Sequence, residues 1–178
     1  MIRMMLHAGA RAFGKRYDYN VNYMHSVIDV STGAGMALTL LPLVTQYKGP
    51  KSARAVWAGA LLASTLDGDC GPCAQLVVDI AVGQGVDGQA LLAAIEGRLD
   101  EAGDVGLGVR FAQAAISRSY EPNPFADTIK TRFGDKALVA ASFAAASGRF
   151  YPVFKRGLGE GHACQRIEVN GHVGKVVL

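Results

Sequence analysis

The sequence predicts an all-α protein, a bundle of antiparallel helical hairpins, on three observations. Half of its 178 residues are apolar and alanine carries much of that share; alanine loses no side-chain entropy in a helix, and its small side chain lets helices approach closely. Apolar residues recur at helical spacing on both sides of Cys70-Gly71-Pro72-Cys73. The segments between these stretches are short turns of Gly, Pro and Asp, which suit antiparallel neighbours.

Taken in order, residues 1–17 read as a loose basic leader, with no acid before Asp18. Asp18 or Asn20 can cap a helix through Met24, Val27 and Ile28, and Gly33-Ala34-Gly35 is expected to break it before Met36 to Val44. Lys48-Gly49-Pro50 is a stop and restart, with Pro50 suited to a first helical turn. Ala53, Val56, Trp57, Ala60, Leu61 and Ala63 then keep helical spacing, so 51–66 reads as a buried helix. Asp69 is placed to cap a helix from Cys70 through Leu76, Val77, Ile80 and Ala81, closed by Gly83-Gln84-Gly85. Asp87 offers a further cap before Ala90 to Leu99. Helices follow over Leu107 to Ser119 and Phe125 to Phe133, separated by Glu121-Pro122-Asn123-Pro124. A long helix starts at Gly134-Asp135 and is kinked or ended by Pro152. Residues 18–165 therefore form the helical domain. In the tail, 166–178, Arg166 to Val173 alternates around Asn170-Gly171, the pattern of a small hairpin, with an exposed irregular tail as the alternative.

Composition excludes several functions. A net charge of +3 is too small, and the basic residues too scattered, for a nucleic-acid surface. The longest apolar stretch, Val27 to Val44, would bury Asp29 in a bilayer, so no membrane span is expected. Three cysteines make no disulfide framework, and no hydrophobic signal core opens the chain. A reducing cytoplasm is the expected compartment.

The chemistry is concentrated at Cys70 and Cys73. Residues three apart on a helix are neighbours, so the two sulfurs can close a disulfide with little backbone movement. Cys70, in the first turn behind Asp69, would have unpaired backbone N–H groups to stabilise a thiolate. Pro72 is tolerated there because first-turn amides have no intrahelical acceptor. A thioredoxin setting needs an apolar strand ahead of this motif, whereas Ala55 to Leu66 has helical spacing. Gly83-Gln84-Gly85-Val86-Asp87-Gly88 matches G-x-G-x-x-G, but the second strand and its acid are missing, so no dinucleotide is implied. Zinc is an open alternative, since His162 and Cys164 could join Cys70 and Cys73 in a Cys3His tetrahedron. Two inertly buried cysteines are the plain alternative.

A helix, an acidic turn, then CxxC opening a helix with Leu76-Val77-Val78-Asp79-Ile80-Ala81-Val82-Gly83 resembles the core of the alkyl hydroperoxidase D-like (carboxymuconolactone decarboxylase) superfamily. Gly108 to Ala114 is similar to that family's following helix. Gly134 to Leu138, Tyr151-Pro152 and Lys155 to Gly159 resemble the end of one of its largely uncharacterised subgroups. The resemblance spans roughly 20–165.

It implies an all-α fold, homo-oligomers such as trimers or hexamers, and thiol-based peroxide reduction without a cofactor or metal. A reductant protein carrying thiols is the implied partner. Only Cys70 and Cys73 carry over. The positions of the family's relay glutamate and histidine hold Ala58 and Val77, so slow peroxide turnover is expected. Asp67, Asp69, Gln75 and Asp79 are candidate substitutes; their plain readings are a turn, a cap and two helix-surface polars. With the relay missing, Cys70 is expected to be the wetter and more acidic thiol. Three readings stay open: a thiol oxidoreductase or peroxidase-like enzyme using Cys70 and Cys73, with Asp67 and Asp69 beside them; a non-catalytic oligomeric binding or scaffold protein; and a zinc-stabilised domain.

Overall fold

The computed structural model describes residues 1–117, 121–160 and 166–177. The chain is an all-α bundle closed by one short antiparallel hairpin. Its helices are α1 (Ile2–Tyr17), α2 (Asn22–Val30), α3 (Thr32–Leu40), α4 (Pro42–Thr45), α5 (Arg54–Asp67), α6 (Gly71–Gly83), α7 (Gly88–Ile95), α8 (Gly103–Ile116), α9 (Ala126–Phe133), α10 (Asp135–Ser147) and α11 (Phe150–Gly157). The strands are β1 (Arg166–Val169) and β2 (His172–Lys175).

The centre is α5, packed against α8 and α10. Val56, Trp57, Ala58, Ala60, Leu61 and Leu62 are all buried in it. Backbones meet closely where α5 crosses α8: a Cβ on Gly59 would lie 2.0 Å from the Val105 carbonyl oxygen, and one on Gly108 2.1 Å from that of Val56. Only glycine allows that approach. On the other side Ser64 Oγ donates to the Ala145 carbonyl (2.6 Å), which satisfies its hydroxyl inside the core.

Several local expectations change. Residues 1–17 are no loose leader: α1 occupies Ile2–Tyr17 and ends where Asp18 turns left-handed (φ 47°). Its acid-free stretch is helical because it lays Leu6, Ala10 and Phe13 towards the other elements while its basic residues face water. The break between α2 and α3 comes at Ser31, whose Oγ accepts from the Ala34 amide (3.2 Å), so Gly33 and Gly35 lie inside α3. Gly35 is there because Ile28 Cγ1 would stand 2.8 Å from its Cβ. The long helix stops at Gly148 and resumes as α11, placing Pro152 in a first turn where its missing N–H costs nothing. Read through that break, Asp135–Gly157 is long and apolar enough to cross a membrane, yet Ala137, Ala140, Ala141 and Ala144 on it belong to the core. The end of the Leu107–Ser119 expectation, at 118 and 119, lies outside the described residues.

Other expectations hold. Asp87 caps α7 by accepting from the Gln89 amide (2.9 Å). Asn170 (φ 50°) and Gly171 (φ 81°) take the two positive-φ positions of the hairpin turn, with Val169 opposite His172. This segment is more than a tail: Ile167 and Val169 are buried in the common core. Gln75 Nε2 donates to the Glu168 carbonyl (2.8 Å) and the Glu168 amide donates to Gln75 Oε1 (2.8 Å), pinning β1 to α6.

Candidate functional site

Cys70 and Cys73 are joined in a disulfide, with their Cα atoms 5.3 Å apart. The helix starts one residue later than the sequence suggests. Cys70 is the N-cap, extended at φ −136°, and Gly71, Pro72 and Cys73 make the first turn of α6. Asp69 is not the cap. It adopts a left-handed conformation (φ 53°) that turns the chain from α5 into α6, and it is exposed. Asp67, at the end of α5, pairs with Arg149 (2.6 Å) across a half-exposed contact. The two cysteines are both buried, Cys70 3% and Cys73 5% exposed, so Cys70 is not the wetter thiol.

What separates them is a half-open cavity of about 820 Å³ bordered by α1, α2, α3 and α6, with contributions from α4, α5, α10 and α11. Cys73 lies on its wall and Cys70 does not. The lining is predominantly apolar: Leu76, Val77 and Ile80 follow Cys73 along α6, and Phe13, Ile28 and Leu38 face them. Tyr17, Tyr19, Tyr23 and Tyr151 add an aromatic side. Neither Asp67 nor Asp69 is among the lining residues. Val77 is part of the apolar wall, and Ala58 is buried in α5.

The residues that the sequence did not point to are Tyr19, Tyr23, Tyr151 and Lys155. Tyr19 sits in the short link between α1 and α2, and its O–H donates to Cys73 Sγ at 3.7 Å. Lys155, on α11, donates from Nζ to the Tyr19 hydroxyl at 3.4 Å. The lysine is only 4% exposed and has no carboxylate within ion-pair distance among the described residues. Instead its ammonium lies over two aromatic rings, 5.3 Å from the Tyr19 centroid and 5.2 Å from that of Tyr23.

Burial sets the acidities here. It lowers the Lys155 pKa, opposed by the negative charge of Glu160. Burial raises the Tyr19 pKa, opposed by a hydrogen bond from Tyr23. Burial also raises Tyr23, and it pushes Tyr151 up to about 12.

No family model, curated protein or solved structure matches this chain. The site therefore has to be read from its own chemistry. Among the described residues no group of three His, Cys, Asp or Glu side chains is placed to hold a metal ion. His162 and Cys164, the other half of the zinc expectation, lie outside the described residues. Gln75 is occupied with β1, and Asp79 accepts from Gln75 Nε2 (2.9 Å), so both have structural work. Leu76 to Ile80, which could pass for the strand of a dinucleotide fold, is helical.

Proposed function

We propose that this protein is a dithiol oxidoreductase of the alkyl hydroperoxidase D-like kind, reducing an apolar organic hydroperoxide with Cys73 as the attacking thiol. The observation that carries the reading is the sulfur pair at the start of α6, with only Cys73 on the wall of the apolar cavity. An aliphatic or aromatic hydroperoxide would leave water for that cavity and present its terminal oxygen to the sulfur.

In the reduced protein the Cys73 thiolate attacks the terminal oxygen of ROOH; an S–O bond forms, the O–O bond breaks, and sulfur gives two electrons to the peroxide. The alkoxide leaves as ROH after taking a proton. Cys70 then attacks the sulfur of the Cys73 sulfenic acid, hydroxide leaves as water, and the disulfide closes. An external dithiol, small or protein-borne, returns two electrons and two protons. Asp67 and Asp69 help only by shaping the turn that delivers the cysteines.

The test uses the full chain reduced with dithiothreitol, freed of reductant, and mixed with cumene hydroperoxide. One equivalent should be consumed per chain as the 70–73 disulfide forms, faster than with hydrogen peroxide, which the apolar wall cannot hold. Equal rates with the two oxidants would remove the cavity from the reaction. No disulfide with either, together with stoichiometric zinc, would leave a structural metal site in its place.

The same reading includes a homo-oligomer, a trimer or hexamer. Val139, Phe143, Phe150 and Val153 are exposed apolar side chains on α10 and α11, a surface suited to a second copy. Sedimentation giving a monomer at micromolar concentration would refute the assembly without touching the chemistry.

A further inference from the structure

The family's proton relay is missing at positions 58 and 77, and a buried cation stands close to the sulfur by another route. We propose that Tyr19 and Lys155 form the proton relay of Cys73, Tyr19 as a catalytic residue touching the sulfur and Lys155 as a positioning residue acting through it. The inference rests on the oxidoreductase reading only for the identity of the oxidant. The effect on the thiol stands on geometry.

The geometry is an unbroken line from Lys155 Nζ to the Tyr19 hydroxyl (3.4 Å) to Cys73 Sγ (3.7 Å). The sulfur of a disulfide has no hydrogen, so the tyrosine is the donor, and the same O–H faces the thiolate when the pair is reduced. A lysine 4% exposed without a carboxylate partner among the described residues is costly to keep. Two aromatic faces hold the ammonium but do not neutralise it. A Cys73 thiolate would supply the missing negative charge at one residue's remove. The first turn of α6 adds backbone N–H groups on the same side of the balance.

Among the described residues, the other groups near this line are few. Tyr23 and Tyr151 come from α2 and α11, and both stay neutral because burial raises them. Arg16 on α1 lines the cavity. Glu160, beyond α11, favours the charged lysine. Asp67 is engaged with Arg149, and Arg156 donates to the Gly68 carbonyl.

The protons can be followed. When the O–O bond breaks, the alkoxide takes the Tyr19 proton. Tyr19 regains one from the Lys155 ammonium, a better donor for being buried. The Cys70 thiol gives up a proton to solvent as it turns to attack Cys73, and Lys155 takes one back from solvent, so the sum balances. The proton released when Cys73 became a thiolate returns with the hydroxide that leaves as water.

The experiment measures iodoacetamide alkylation of the reduced full chain across pH, with each cysteine read separately by mass spectrometry. Cys73 should react with an inflection below the ordinary thiol value of about 8.5, and ahead of Cys70. Tyr19→Phe, which removes one oxygen and keeps the ring contacts, should raise that inflection by about one pH unit and slow Cys73 roughly tenfold at pH 7. Lys155→Met should do the same, and the double variant little more, because both act on one line. With cumene hydroperoxide, Lys155→Met should lower kcat and leave KM in place, since Lys155 does not line the cavity. If either variant is unfolded by circular dichroism, the other decides. Rates within twofold of the parent at every pH would overturn the relay even where the parent reduces hydroperoxide. A Tyr19-dependent, acidic Cys73 in a protein that ignores hydroperoxides would uphold the relay and overturn the oxidant.

Discussion

Where α5 meets α8, glycine faces carbonyl oxygen at both crossing points, and a single methyl group would collide with backbone. Where α1, α2 and α3 face α6, about 820 Å³ is left between side chains. The two regions use helices of different composition and reach opposite results: α5 and α8, rich in alanine and glycine, in the first, and a basic α1 and an alanine-free α2 facing α6 in the second. In the first, small residues remove the distance between backbones, and dispersion between close-packed atoms holds the core. In the second, large side chains such as Phe13, Tyr19 and Tyr23 hold the helices apart and line the gap. Close packing belongs to the first region and the cavity beside Cys73 to the second, and the same class of substitution should read differently in each.

The largest effect is expected at the crossing. Gly108→Val would drive side-chain carbon into the Val56 carbonyl oxygen. Backbone has to move, and the cost should be at the upper end for overpacking, about 3 kcal/mol or more. Urea unfolding would show a large fall in midpoint or no folded baseline. A fall under about 1 kcal/mol would mean that α5 and α8 can slide apart, and that the two regions differ only in degree.

Lys155→Met comes next and has the opposite sign. It exchanges a buried ammonium for a thioether of similar length and leaves the two tyrosine rings packed. We expect stability at neutral pH to rise by about 1 kcal/mol. The pH dependence follows from the same burial. Lys155 is depressed below its ordinary value, so in the window between its folded value and the unfolded value of about 10.4 the unfolded chain binds the extra proton. Stability of the parent should therefore gain from this group as pH rises through the folded value, and the variant should lack that gain. A variant less stable than its parent at pH 7 would show that the lysine is held for the fold and not at its expense.

Val77→Phe makes the regional contrast direct. It adds a ring to α6, as large an insertion as any in the core, but into the cavity. Stability should change by less than about 1 kcal/mol, while cumene hydroperoxide oxidation slows about tenfold from lost space beside Cys73. Should this variant fall as far as Gly108→Val, the cavity closes in solution and the substrate site has to be sought elsewhere.

The sequence was most informative where one residue decides a local structure. Asp87 capping α7, the Asn170-Gly171 turn and the CGPC start of α6 each follow from the chemistry of two or three adjacent residues. At the site the same reading reached the sulfurs and missed their partners. Tyr19 lies 54 residues from Cys73 and 136 from Lys155, and no local pattern joins them. Lys155, ahead of Arg156 near a helix end, reads as a solvated cation favoured by the helix dipole. Its burial depends on Tyr19 of the α1–α2 link and Tyr23 of α2 lying against α11, and no local pattern around Lys155 points to them. The aromatic run Phe150, Tyr151 and Phe154 around it was the one available hint of an apolar setting.

The smallest effects should come from the two acids nearest the cysteines in sequence. Asp67 shares its carboxylate with Arg149 across a contact exposed on both sides (48% and 39%), and such a pair contributes roughly 0.2–1 kcal/mol. Asp69 holds a left-handed backbone at φ 53°, a region that asparagine also tolerates. Asp67→Asn should cost no more than a few tenths of a kcal/mol, and Asp69→Asn should be neutral. Neither touches the cavity, so the pH profile of Cys73 alkylation should stay within twofold of the parent in both. A shift of the inflection by a full unit in Asp67→Asn would place the proton path on the α5 side of the disulfide, through Arg149, and would count directly against Tyr19 and Lys155.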